Sequence, residues 1–291
     1  MIAHHFPSGT KSVHDLVIQW GLEQLIFIGY ALKTEQPEIV QDTPWSYVIR
    51  FRTSNGYVYL KQTPQKIALE ASIIETLHKQ FNAPVPEVIA HNDKLHCFLM
   101  KDAGQSLRAI LKAKFDEALL CKAVGQFLTL QQIVADKVYV FIDMGVPDYR
   151  LDKLPGLYRQ LISKTNILRA DGLSEKEINQ LEGLDPMILN LCDQLSSFGI
   201  KETIVQPDFN DNNTLMNDVT NTLTIIDLGE AVISHPFFSL LNFLHVIKKH
   251  HGLTDTSTVY GRLQAHCFRA FNMDEKNLSD AIEMAQKLFF V

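Results

Sequence analysis

At Pro64 the apolar residues of this 291-residue chain switch from a strand's period to a helix's, and that change limits the folds open to it. Before it, Tyr47 to Arg52 and Tyr57 to Gln62 alternate in character on either side of Ser54-Asn55-Gly56, and an Asn-Gly pair favours the positive φ of hairpin turns. After it, Ile67, Glu70, Ile74, Leu77 and Phe81 recur at steps of three and four, one face of a helix that Pro84 and Pro86 end. A second strand pair is expected over Glu87 to Ala90 and His96 to Met100, turning at Asn92-Asp93. Beyond it the signals are helical. Ser106 caps a helix to about Lys114, Ala118 to Val134 is periodic, Ser174-Glu175-Lys176-Glu177 is a capping box, and Asp185-Pro186 is a cap with a first-turn proline. Phe237 to His251 and Ser279 to Phe290 complete the pattern. The expected fold is α+β, with a small antiparallel sheet lobe carrying one helix over residues 1–101 and a larger, mainly helical lobe over 102–291. No Gly/Ser-rich linker separates them.

Composition narrows the function classes. With 46% hydrophobic and 21% charged residues the chain is an ordinary folded protein. Its net charge of -6 falls entirely after residue 101, which argues against a nucleic-acid surface. Cys97, Cys121, Cys192 and Cys267 have neither disulfide nor metal spacing, which points to a reduced compartment. Met1 to Ser12 lacks the form of a signal peptide and the longest apolar run, near Leu25 to Leu32, is far short of a bilayer span, so a cytoplasmic protein without membrane contact is expected. His4-His5 reads as tail, the cluster of His245, Lys248, Lys249, His250 and His251 as cations complementing a helix C-terminus, and Leu288 to Val291 as an apolar end docked on the helical lobe.

The chemistry is concentrated in Val205-Gln206-Pro207-Asp208-Phe209-Asn210-Asp211-Asn212-Asn213 and in the apolar strand Leu223 to Ile226 that ends at Asp227. Asp208, Asn213 five positions on, and Asp227 supply one base and two oxygen ligands for Mg²⁺, the parts phosphoryl transfer needs. Glu70 lies on the apolar face of its helix, where an ionised carboxylate is costly without a partner, and Lys61 at the end of the preceding strand is the nearest candidate. A lysine held by a glutamate is a fixed point charge suited to the α- and β-phosphates of a nucleotide. Either feature alone is weak, since Asp-x4-Asn recurs by chance and most Lys–Glu pairs are structural. Together and in order they are specific.

In these positions, over roughly residues 40–245, the chain resembles the aminoglycoside phosphotransferase and choline kinase family, whose fold is that of protein kinases. Tyr57-Val58-Tyr59-Leu60-Lys61 is similar to the family's lysine strand, Leu69-Glu70-Ala71 to its helix glutamate, and Phe98-Leu99-Met100-Lys101-Asp102-Ala103-Gly104, followed by Ser106-Leu107-Arg108, to the hinge and the helix after it. The family's His-Gly-Asp-Phe-His-Pro-Gly-Asn loop reads Gln206 to Asn213 here, and its Ile-Asp-Trp-Gly-Asp segment reads Ile226-Asp227-Leu228-Gly229-Glu230. The resemblance implies transfer of the γ-phosphoryl group of ATP to a hydroxyl of a small molecule of aminoglycoside, amino alcohol or sugar type. Asp208 would be the base, Asn213 and Asp227 would hold Mg²⁺, and Lys61, positioned by Glu70, would grip the phosphates. Backbone from Met100 through Lys101 to Ala103 would face the adenine.

Three departures from the family pattern bear on the expected site. Gln206 replaces a histidine but keeps an amide that donates hydrogen bonds. The phosphate-covering turn, expected over Gln41 to Ser46, has no glycine, so a contact from the Ser46 side chain would replace close backbone approach. After Asp227 the family's Gly-Asp-Pro and a later aspartate become Ser234-His235-Pro236 and Ser239, which removes the carboxylate expected to support the loop. Gln206 and the glycine-free turn motivate an alternative, a nucleotide-binding module that has lost turnover. His235 is read as structural or as a substrate contact.

Overall fold

A computed structural model describes residues 12–289, so His4-His5, Phe290 and Val291 lie outside the described residues. The chain divides into two compact units: residues up to Lys79 with Val85–Ala103, and Gln80–Pro84 with Gly104 onward. The first carries an antiparallel sheet and the second is mainly helical, which is a bilobal α+β kinase-like fold.

In the first unit α1 (Val13–Ile28) precedes β1 (Glu38–Asp42), β2 (Tyr47–Thr53) and β3 (Gly56–Gln62), then come α2 (Glu70–Phe81), β4 (Val88–Asn92) and β5 (Cys97–Lys101). The sheet order is β1-β2-β3-β5-β4, antiparallel throughout. The expected hairpin forms with Tyr47 opposite Gln62 and Thr53 opposite Gly56, whose φ of 106° is the left-handed geometry the turn requires. Side-chain alternation then sorts the faces. Tyr47, Ile49, Phe51, Val58, Leu60, Cys97 and Leu99 pack with Val17 and Leu25 of α1 in one buried cluster. Lys61, one step out of phase with Leu60, projects from the opposite face, with Val48 and Phe98 as its cross-strand neighbours.

Helix α1 was not expected from the sequence. Ser12 and Asp15 form a reciprocal capping box and Gly29 closes the helix at φ 93°. Its buried positions, Val17, Gly21 and Leu25, follow a four-residue step, but exposed Val13, Leu16, Ile26 and Phe27 fill the other faces and blur the stripe. Gly21 is where α1 approaches the sheet, since a Cβ there would stand 2.6 Å from the Leu60 Cδ1.

The second unit contains β6 (Gln105–Ser106), α3 (Leu107–Ala113), α4 (Glu117–Ala135), α5 (Tyr139–Met144), α6 (Leu154–Ile162), α7 (Thr165–Ala170), α8 (Glu175–Glu182) and α9 (Asp185–Ser197). It continues through β7 (Thr203–Val205), β8 (Thr214–Met216), β9 (Leu223–Ile225), β10 (Val232–Ser234), α10 (Phe237–His250), α11 (Thr258–Phe268) and α12 (Glu275–Phe289). Ser106 and Ser174 cap as expected. Asp185 does not cap: it is the first residue of α9 and pairs with Arg159 at 2.7 Å. The last helix starts earlier than expected, at Glu275, because Asp274 accepts the Asn277 N–H at 2.9 Å. Helix α4 is long and apolar enough to cross a membrane, but Leu120, Val124, Phe127, Leu130 and Val134 are buried in this unit's core. All four cysteines are free, with Cys97, Cys192 and Cys267 buried.

Candidate active site

Two short antiparallel pairings assemble the polar loop of the second unit. Strands β8 and β9 pair with Thr214 opposite Ile225, so Asn213 and Asp227 flank the same end of the ladder, and the Ile226 N–H donates to the Asn213 carbonyl at 3.0 Å. Strand β7, paired with β10 through Val205 and Val232, delivers Gln206 to the loop. Phe209 anchors it from below. Its ring is fully buried, stacked 3.9 Å from Phe127 and 5.3 Å from Phe243.

Over this anchor the Asp208 carboxylate is exposed but oriented. Asn210 Nδ2 donates to Asp208 Oδ1 at 2.8 Å and Asn213 Nδ2 donates to Asp208 Oδ2 at 2.9 Å, while both amides also reach the Asp208 carbonyl at 2.9 Å. Asn213 therefore spends its NH₂ on Asp208 and presents its carbonyl Oδ1 as the atom a cation would take. Asp227 is exposed and held at φ 65°, a left-handed conformation costly for a residue with a Cβ, though least so for Asp and Asn. One amide oxygen and one carboxylate are the hard donors that suit Mg²⁺, which takes few protein ligands when nucleotide phosphates complete its shell. Among the described residues no cluster of three His, Cys, Asp or Glu offers a closed metal site.

Both departures near the loop prove to be competent supports. Gln206 Nε2 donates to the carbonyls of Ile226 and Asp227, each at 2.8 Å, and so ties the segment bearing Asp208 to the one bearing Asp227. Ser239, expected to leave the loop unsupported, accepts the Gln206 N–H at 2.9 Å and donates its hydroxyl to the Gln206 carbonyl at 2.9 Å. A hydroxyl can do both, which a carboxylate cannot. His235 is fully buried, its Nδ1 accepting the Phe237 N–H at 3.4 Å and its ring edge-on to Phe237 at 4.8 Å. Desolvation pulls its pKa from the ordinary 6.5 to about 3, so the ring is neutral and structural rather than a substrate contact.

In the first unit the Lys61 ammonium lies 2.8 Å from both carboxylate oxygens of Glu70. Their side chains retain only 9% and 2% of their exposure, so the two charges are desolvated together. The β1–β2 turn falls at the expected glycine-free segment and is closed by Thr43, whose N–H and hydroxyl donate to the Ser46 carbonyl at 3.0 and 3.1 Å. The Ser46 hydroxyl accepts from Gln41 Nε2 at 3.0 Å and keeps its own proton to donate. Met100 and Lys101 close β5, and the Lys101 N–H is already used on the Glu87 carbonyl at 3.1 Å.

No family model matches the sequence and no curated protein matches it. Solved structures do match. The ethanolamine kinase of Plasmodium vivax superposes with a TM-score of 0.61 at 11% identity, over 87% of this chain and 72% of that one. A macrolide 2'-phosphotransferase of Brachybacterium faecium gives 0.58 at 11%, over 92% and 88%. The aminoglycoside phosphotransferase of Streptomyces rimosus, solved with ADP and streptomycin, gives 0.55 at 16%, over 92% and 97%. The fold is that of the small-molecule phosphotransferases.

In the first unit Lys61 meets Glu70; in the second Asp208 meets Asn213, and the β8–β9 register puts Asn213 and Asp227 at the same end of the ladder. Sequence reasoning missed Arg108 and His251 as parts of the loop. Arg108 Nε and Nη2 donate to Asp211 Oδ1 at 3.0 and 2.8 Å, and His251 Nε2 lies 2.8 Å from Asp211 Oδ2. No local signal marks a contact spanning 103 or 40 positions, and His251 reads equally well as a helix-end cation.

Proposed function

We propose that the protein is an ATP-dependent phosphotransferase that moves the γ-phosphoryl group to a hydroxyl of a small molecule of the aminoglycoside, amino alcohol or sugar type. The observation that carries this reading is the Asp208 carboxylate, exposed yet fixed by the amides of Asn210 and Asn213, beside an Asn213 carbonyl oxygen and the Asp227 carboxylate. Asp208 accepts the acceptor hydroxyl's proton as the hydroxyl oxygen bonds to the γ-phosphorus and the bond from that phosphorus to the β–γ bridging oxygen breaks, releasing ADP. The two amide partners of Asp208 hold it in the orientation that transfer requires. Asn213 and Asp227 would hold Mg²⁺, which when bound neutralises charge on the phosphates. Lys61, kept in place by Glu70, binds the nucleotide's α- and β-phosphates, the Ser46 hydroxyl donates to a phosphate oxygen, and the backbone of Met100, Lys101 and Ala103 borders the adenine. In support, the structures sharing this fold include an ethanolamine kinase and a phosphotransferase holding ADP and streptomycin.

The test is ATP consumption with Mg²⁺ across amino alcohols, sugars and aminoglycosides. Asp208→Ala should lower transfer by about 10²- to 10⁴-fold while nucleotide affinity is retained. Unchanged activity in that variant removes Asp208 as the base. The glycine-free turn over Gln41 to Ser46 favours a second reading, a nucleotide-binding module without turnover. Tight nucleotide binding with no transfer to any acceptor would select it.

A further inference from the structure

Asp211, three residues after the base, is fully buried, and both its oxygens are partnered from distant helices. Arg108, at the start of α3, donates Nε and Nη2 to Oδ1 and its backbone N–H to the Asp211 carbonyl at 3.0 Å. His251, just past α10 and 5% exposed at its side chain, sits 2.8 Å from Oδ2. A carboxylate only accepts, so the imidazole Nε2 carries the proton. The same Arg108 Nη2 donates to Asn210 Oδ1 at 3.0 Å. That bond and the Asn212 N–H, which donates to the same oxygen at 2.7 Å, together fix which way the Asn210 amide faces: with its oxygen held by both, its NH₂ points the other way, where it donates to Asp208 Oδ1 at 2.8 Å. Asn210 and Asp211 are the two positions at which this loop carries Asn-Asp in place of the His-Pro of the form it resembles.

We propose that Arg108 and His251 are positioning residues for Asp208. They lock the buried Asp211, and with it the loop, to the ends of α3 and α10, and Arg108 joins the Asn212 N–H in holding the Asn210 amide that orients the base. The assignment rests on the phosphotransferase reading for its catalytic consequence, but the latch itself is a property of the loop. Loss of the His251 donor strands a buried carboxylate oxygen, and the loop must shift to rehydrate it. Gln at this position offers an amide N–H in place of Nε2–H, whereas Phe offers the ring alone.

The experiment compares His251→Phe, His251→Gln and Arg108→Lys with the parent protein, by steady-state kinetics and by amide hydrogen exchange of residues 208–213 against residues of α12. His251→Phe should lower kcat by about tenfold to a hundredfold with the KM for ATP unchanged, and speed exchange in the loop but not in α12. His251→Gln should recover most of both. Arg108→Lys keeps the charge but loses the fork, and should behave like His251→Phe. Loop exchange in His251→Phe that matches the parent overturns the proposal, as does an equal defect in the Phe and Gln variants. If the parent transfers no phosphate, the phosphotransferase reading fails, and loop exchange alone then upholds or overturns the latch.

Discussion

Lys61 and Glu70 form a pair whose burial argues for function rather than stability. Removing two charges from water costs several kcal/mol each, and apolar replacements of similar size are often as stable or more so. Glu70→Leu alone takes the carboxylate at 2.8 Å away from a buried ammonium and should destabilise the first unit by about 3–5 kcal/mol. The double variant Lys61→Met/Glu70→Leu should regain that stability without regaining nucleotide affinity. Chemical denaturation with parallel nucleotide titration checks both halves, and a double variant that binds nucleotide normally would remove Lys61 from the phosphate site. Gln206 illustrates a different residue-scale point: its amide reaches two carbonyls at once, a span that neither a serine nor an alanine could cover.

At the scale of elements, the active loop is held by short strands rather than long ones. Strand β6 has only two residues, yet it pairs with β8 through Gln105 and Met216, and Gly104 makes the approach possible. Its φ is 102°, and a Cβ there would come within 2.0 Å of the Met216 carbonyl oxygen. Gly104→Ala should therefore cost about 2 kcal/mol or more, combining backbone strain with a clash against main chain that cannot rotate aside. Thermal or denaturant melting measures this. Transfer activity should fall with it, because β8 leads out of Asn213. A substitution at Gly156, where a Cβ meets nothing within 4 Å, provides the control.

For the whole molecule, His235 is among the groups that make stability depend on pH. Its folded pKa, about 3, lies below the 6.5 of an exposed imidazole, so the unfolded chain binds a proton that the native state refuses. The contribution to stability is complete above pH 6.5 and is lost as pH falls from there toward 3, at about 1.4 kcal/mol per pH unit. His235→Leu keeps an apolar side chain in the same pocket and removes the proton site. Its denaturation free energy should fall less steeply between pH 6.5 and 5 than that of the parent protein. Equal slopes would mean that the imidazole is hydrated and titrates in the native state.

The hairpin of Tyr47–Gln62, the helix bearing Glu70, and the order of Asp208, Asn213 and Asp227 were legible in the amino acids alone. Each of these is written in local chemistry: a two-residue or 3.6-residue period, a turn dipeptide, a carboxylate on an apolar face. Helix α1 was hidden because exposed apolar residues masked its stripe, although Ser12, Asp15 and Gly29 carried legible caps. That Ser239 serves the loop in place of a carboxylate, that His235 is sealed in the core, and that Arg108 and His251 converge on Asp211 became visible in the folded chain. Those outcomes depend on which residues far apart in the chain share a buried volume, where an unpaired polar group is costly and a chosen partner is enforced by packing rather than by spacing.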